Sequence, residues 1–164
     1  VAVLTDVLAG SWSVTRAING AADAFTGVAN FTPGVGRLWW RERGELRLGD
    51  YVGDAWRTYL IVPCGDAWEV RFDDGRPFHA LDLRSGGCEA VHPCGPDIYR
   101  GVYALAEPDR FTVTWRVTGP GRDDTIASDY RRLGSGSGPP QGLNADHLRR
   151  DRAARRSPST RTSA

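Results

Sequence analysis

The chain has 164 residues, is 40% hydrophobic and 10% aromatic, and carries 21 basic against 20 acidic residues for a formal charge of +1. That is one domain, or one domain with an appendage, and since every basic residue is arginine, Schiff-base chemistry on a lysine amine is excluded. Residues 141–164 hold six arginines against Asp146 and Asp151, about +4, which leaves residues 1–140 near −3; an acidic body is a poor partner for nucleic-acid phosphates.

The opening VAVLTDVLAG carries Asp6 and lacks the basic run of a secretory leader, and TDVLAG suits one short helical turn. From Gly10 onward strand signals recur about every ten residues: GSWSVTRAI, FTGVANFTP, RLWWRERGELRLG, AWRTYLIV, AWEVRFDD, PFHALDLR, CEAVHPC, DIYRGVYALA, RFTVTWRVTGP and IASDYRRL. Turn formers separate them, among them PGVG, PCGD, DDGRP, RSGG, PCGP, EPDR and GPGRDD. The periodicity stops at LGSGSGPPQG, so residues 1–134 are expected as one β domain and 135–164 as a Gly/Ser/Pro linker with a disordered, arginine-rich tail. About ten antiparallel strands with tight turns form a sandwich or a closed barrel, and closure removes the exposed edges. Cys64, Cys88 and Cys94 are an odd number, and no stretch approaches the roughly 18 apolar residues of a membrane span; the expectation is a cytoplasmic protein with reduced thiols and no membrane partner.

Alternation defines the faces. Phe111, Val113, Trp115 and Val117 share one side of their strand, and Trp68, Val70 and Phe72 one side of theirs, as half-buried strands require. Trp39 and Trp40 fall on opposite faces, with Glu42 on the side of Trp40 and able to oppose an interior arginine. Arg57 and Tyr59 share a face with Ile61; pointing inward they make a polar anchor for a carboxylate, and pointing outward Arg57 is a surface charge. His79 shares the apolar side of its strand with Leu81 and Leu83. His92 is followed after a tight turn by Asp97 and Tyr99, and a hairpin would bring it close to one of them. Tyr103 and Tyr130 are further candidate pocket hydroxyls. The spacing of Cys88, His92 and Cys94 matches no standard zinc motif, so no metal is expected.

A meander of strands that opens on Gly10-Ser11-Trp12 and ends on SDYRR resembles the calycin superfamily of lipocalins and fatty-acid-binding proteins. GSWSVTRAI, DGRPFHALDL, HPCGPDIYRG and SDYRR look more closely like an uncharacterised bacterial family of small lipocalin-like proteins, which brings no activity with it. The resemblance covers residues 8–133 and implies an up-and-down, calycin-like β-barrel of 8–10 strands. It also implies that Trp12 plugs the closed end under an arginine of the last strand, Arg132 before Arg131. It further implies an interior cavity for a small, mostly hydrophobic molecule with a polar end. Trp40, Glu42, Arg57, Tyr59, His79, His92, Tyr99, Tyr103, Trp115 and Tyr130 are the candidate lining. No cofactor is required, although some related barrels hold haem through a single histidine. The alternative is a cofactor-free cyclase or isomerase using His79, His92, Asp97 and Tyr99 in the same cavity. The sequence leaves oligomeric state open, a homodimer included.

Overall fold

The computed structural model describes residues 3–134; the linker and tail expected at 135–164 lie outside the described residues. A six-residue helix, α1 (Val3–Leu8), precedes ten strands: β1 (Gly10–Ile18), β2 (Ala21–Gly34), β3 (Arg37–Leu48), β4 (Tyr51–Cys64), β5 (Ala67–Phe72), β6 (Pro77–Leu81), β7 (Gly87–Cys94), β8 (Asp97–Glu107), β9 (Arg110–Gly119) and β10 (Arg122–Arg132). All ten strand signals of the sequence become strands. β2, β4 and β10 begin earlier than their apolar patterns do, because long hairpins continue the ladder through polar residues.

The ten strands form one antiparallel sheet in the order β6-β5-β4-β3-β2-β1-β10-β9-β8-β7. The first and last strands are hydrogen-bonded to each other, with Trp12 opposite Arg132, Val14 opposite Tyr130 and Arg16 opposite Ser128. The result is a nearly closed barrel whose seam falls in mid-chain, between β6 and β7. Pro77 and Pro93 lie on these two edge strands, where a missing N–H is best tolerated. Side chains rather than backbone bridge the seam: the Phe78 and His92 rings are 5.0 Å apart, edge to face. Strand direction reverses cheaply between β1 and β2, where Asn19 and Gly20 both take positive φ, the pairing that a two-residue hairpin turn demands. The Asn19 side chain then ties that turn to β10, donating to Asp124 and accepting from the Thr125 N–H, each at 2.8 Å.

One end of the barrel is sealed. Trp12, Phe31, Leu38, Ile61, Leu81 and Phe111 are buried there, with the Trp12 indole edge-on to Phe111 at 4.9 Å. Helix α1 packs Leu4 and Leu8 onto this core, and the Leu8 carbonyl accepts a 2.8 Å hydrogen bond from Trp12 Nε1. Arg132 lies over the indole, its Cζ 4.2 Å from the ring centroid. The same guanidinium donates to the Ala9 and Val7 carbonyls at 2.8 and 2.6 Å and to the Asp109 carboxylate at 2.8 Å. It therefore combines cation–π attraction, about 0.5 to 2 kcal/mol, with satisfaction of the last free carbonyls around the short helix. Arg131, on the other face of β10, points to solvent.

Candidate functional site

The inward faces of β1, β3, β4 and β10 bring four polar side chains together toward the other end. Glu42, 2% exposed, stands at the centre. The register places Arg57 directly across from it on β4. Arg57 Nε donates to Glu42 Oε2 at 2.7 Å and Nη2 to Oε1 at 3.1 Å, a two-pronged grip. Arg16 reaches Oε2 from β1 through Nη2 at 2.7 Å, while its Nε donates to Ser128 Oγ at 2.8 Å. Trp40 Nε1 at 3.2 Å and the Tyr130 hydroxyl complete the shell around the carboxylate. Burial alone would raise the Glu42 carboxyl, but the Arg57 and Arg16 guanidiniums outweigh it and hold it at about 2. Burial likewise lowers the Arg57 guanidinium, and the Glu42 carboxylate overrides this and pushes it well above its ordinary value.

Two guanidiniums thus share one carboxylate, and the cluster keeps a net charge of +1. Arg16 is enclosed, whereas the Arg57 side chain is 37% exposed. Arg57 Nη1 has only a 3.4 Å contact to the Tyr59 hydroxyl, so one edge of this guanidinium faces the open end with donors to offer. The wall beyond Glu42 and Arg57 is bare: Gly44 pairs with Gly27 on one side and Ala55 on the other. A Cβ on Gly27 or Gly44 would run into the neighbouring strand's backbone, so the two glycines allow β2 and β3 to approach closely here.

An aromatic wall continues from Arg57 toward the seam. Its Cζ is 5.1 Å from the Tyr59 ring; Tyr59 stacks on Phe78 at 5.6 Å, Phe78 on Phe72 at 4.7 Å and on Trp115 at 5.2 Å. Trp115 fits because β8 presents Gly101 opposite it, where a Cβ would sit 2.7 Å from the indole. Tyr59, Phe72, Phe78, His92 and Tyr99 all remain partly exposed, which marks this end as the open one.

The candidate residues separate into groups. Trp40, Tyr103 and Tyr130 are buried and packed, so they form the floor beneath the open end rather than an exposed lining. His79 is also deep, 5% exposed; its Nδ1 faces the Ala80 carbonyl at 2.8 Å and its Nε2 the Tyr103 hydroxyl at 3.0 Å. A ring that donates through Nδ1 and accepts the tyrosine proton at Nε2 is neutral, and burial, with the nearby His92, lowers it to about 4. Burial also raises the Tyr103 hydroxyl well above its usual range.

His92 sits at the rim, across from Tyr99 as the hairpin required, with ring centroids 6.1 Å apart. Asp97, two residues nearer the turn, does not serve His92: its carboxylate lies 3.6 Å from Arg122, which also accounts for Tyr99 by donating to its hydroxyl at 3.0 Å. Of His79, His92, Asp97 and Tyr99, Asp97 is therefore turned away to Arg122, while His92 lies across from Tyr99 and packs with His79 against Phe78. Between the charged cluster and Trp12, the rings of Trp40, Phe31, Phe111 and Tyr130 pack on one another. Two hollows lie elsewhere, one of about 240 Å³ beside α1 lined by Leu4, Val7, Trp68 and Leu83, and an outer groove over Thr15, Ala17, Thr112 and Ala127.

Sequence reasoning missed Arg16, Phe72 and Phe78. Arg16 carried a usable signal, since it shares the face of Trp12 and Val14. Phe72 also carried one, alternating with Val70. Phe78 did not, because it neighbours inward-facing His79, and both turn inward next to the register shift where β5 meets β6.

Residues 8–132 match the model of the "Family of unknown function (DUF6314)". No curated protein matches the chain in sequence. Among solved structures, the S-type phycobiliprotein lyase CPES from Guillardia theta aligns with a TM-score of 0.55 at 14% identity, over 77% of this chain and 89% of the lyase. A redesigned β-barrel, mFAP1 bound to DFHBI, aligns with a TM-score of 0.42 at 15% identity, over 78% of this chain and 97% of the design. At 14% identity the likeness to the lyase extends to the barrel fold alone.

Proposed function

We propose that this chain, which belongs to the DUF6314 family and takes no activity from it, binds a small, mostly apolar molecule with an anionic end at the open end of its barrel. The observation that carries this reading is the uncompensated charge: Arg16 and Arg57 share Glu42 alone, and Arg57 turns an exposed edge outward. A carboxylate on that edge would neutralise the cluster in a setting where charge-assisted hydrogen bonds are strong. The apolar body would lie over Gly44 and Ala55 and along Tyr59, Phe72 and Phe78, matching the apolar walls with few polar groups that small-ligand sites favour. We place the barrel in the calycin superfamily, on the support of Trp12 beneath Arg132 and the β1–β10 closure. The three free thiols support a reducing, cytoplasmic setting.

Quenching of tryptophan fluorescence by 2-naphthoate and by the neutral 2-naphthylmethanol tests the reading. The carboxylate is expected to bind at least tenfold more tightly. Arg57→Gln should remove that preference, and Arg57→Lys should restore only part of it, since an ammonium keeps the charge without the fork. Equal affinity of the wild-type protein for both probes would overturn it.

A further inference from the structure

The outer face of the barrel holds a second, unrelated feature on β3. Alternation turns Arg37, Trp39, Arg41 and Arg43 outward, and the three arginines are exposed. Among the described residues these three make no ion pair, and Arg100 aside, every other arginine does. Arg41 and Arg37 instead flank the Trp39 indole, their Cζ atoms 4.5 and 5.9 Å from its centroid. The register gives the panel its composition. Asn30 and Thr58 flank Arg41, while Val28 and Trp56 flank Arg43. No carboxylate stands in these rows; Glu45 and Asp54 begin only in the next one, and Glu45 is held by Arg47. Trp56 is 74% exposed and Val28 38%. A solvent-facing indole beside unpaired guanidiniums has the composition of an interaction hot spot, where tryptophan and arginine dominate.

We infer that the β2–β3–β4 outer face, centred on Arg41, Arg43 and Trp56, docks an acidic segment of a partner protein. Charge complementarity selects this occupant. Like charge disfavours the chain's own arginine-rich residues 141–164, and a second copy placed face to face would set Arg41 and Arg43 against themselves. Nucleic acid is disfavoured because residues 1–140 sum to about −3, so a polyanion longer than the panel meets net repulsion outside it. A short acidic segment meets the panel alone. Its carboxylates would pair with Arg37, Arg41 and Arg43, whose spacing along the strand is about 6.8 Å for every second residue, and an apolar side chain would cover Trp56.

Fluorescence anisotropy with the full-length chain tests this, using two labelled probes at 50 and 200 mM salt: a twelve-residue glutamate peptide with two central leucines, and a twenty-nucleotide oligo-dT. The peptide is expected to bind the wild-type protein more tightly than the oligonucleotide and to weaken with salt. Arg41→Glu with Arg43→Glu should reduce peptide affinity at least tenfold, and Trp56→Ser several-fold with the salt dependence retained. Both variants change exposed residues, so their melting temperatures and their naphthoate binding should stay at wild-type values, which separates this surface from the barrel interior. No peptide binding, binding indifferent to the charge reversal, or tighter binding of oligo-dT would each overturn the assignment, the last in favour of a nucleic-acid partner.

Discussion

Each end of the barrel sets an arginine against an indole, and the two arginines do different work. At the sealed end the Arg132 guanidinium covers Trp12 at 4.2 Å and satisfies two carbonyls and Asp109, so its donors are committed within the protein. Toward the open end the Arg57 Cζ is 5.7 Å from the Trp40 centroid and grips Glu42, yet it shares that carboxylate with Arg16 and leaves an edge exposed. The difference is one of charge balance and enclosure. A guanidinium whose donors are used and whose neighbours are apolar stabilises a fold; one left in excess of its carboxylates, at an opening, can take a ligand.

The sharpest way to break this comparison is to remove the shared carboxylate. Glu42→Ala strands two guanidiniums in the interior and should cost about 3–5 kcal/mol in urea unfolding, the usual penalty for breaking a buried pair from one side. Replacing the cluster outright, Arg16→Met with Glu42→Leu and Arg57→Leu, should return stability to within a few kcal/mol of wild type while removing the preference for naphthoate. At the sealed end itself, Trp12→Ala deletes a fully buried indole and should also cost about 3–5 kcal/mol, but with naphthoate preference intact in the fraction that folds.

Acid sharpens the comparison by titrating the interior step by step. His79 titrates near 6.5 when unfolded and at about 4 in the barrel, so the unfolded chain binds the proton first. Its contribution is complete above pH 6.5 and is lost as pH falls toward 4, on the order of 3 kcal/mol. Glu42, ordinary at 4.5 and held at about 2, adds a second loss between those values. Urea midpoints measured from pH 8 to 3 should decline in that order, and His79→Phe should flatten the upper window. A smaller effect is expected at the aromatic wall: Gly101→Ala puts a methyl 2.7 Å from the Trp115 indole and should cost about 1–3 kcal/mol by calorimetry, with weaker naphthoate binding as the ring shifts.

Much of this molecule was legible along the chain. Alternation grouped Trp115 with Phe111, Val113 and Val117 and set Glu42 on the side of Trp40, the family resemblance put Trp12 beneath Arg132, and the turn residues separated the ten strands. The same alternation left Arg57 undecided between a pocket and the surface, because it says which residues share a face and not which face is inside. The structure turns it inward, against a glutamate 15 residues away. From spacing His92 could meet Asp97 or Tyr99; the register sets it across from Tyr99, while Arg122, distant in sequence, holds the Asp97 carboxylate.

What the sequence determined by itself is the set of strands, their two-faced character and the tight reversals, all consequences of a two-residue period and local backbone preference. What only the tertiary structure decided is the company each side chain keeps: Glu42 between Arg16 and Arg57, His79 neutral under Tyr103, the seam at β6 and β7, and the packing of Phe31, Trp40, Phe111 and Tyr130 on one another. The reason is that these depend on register between strands as far apart in the chain as β1 and β10 and on how densely opposite walls interdigitate, and neither quantity is encoded within any single stretch of chain.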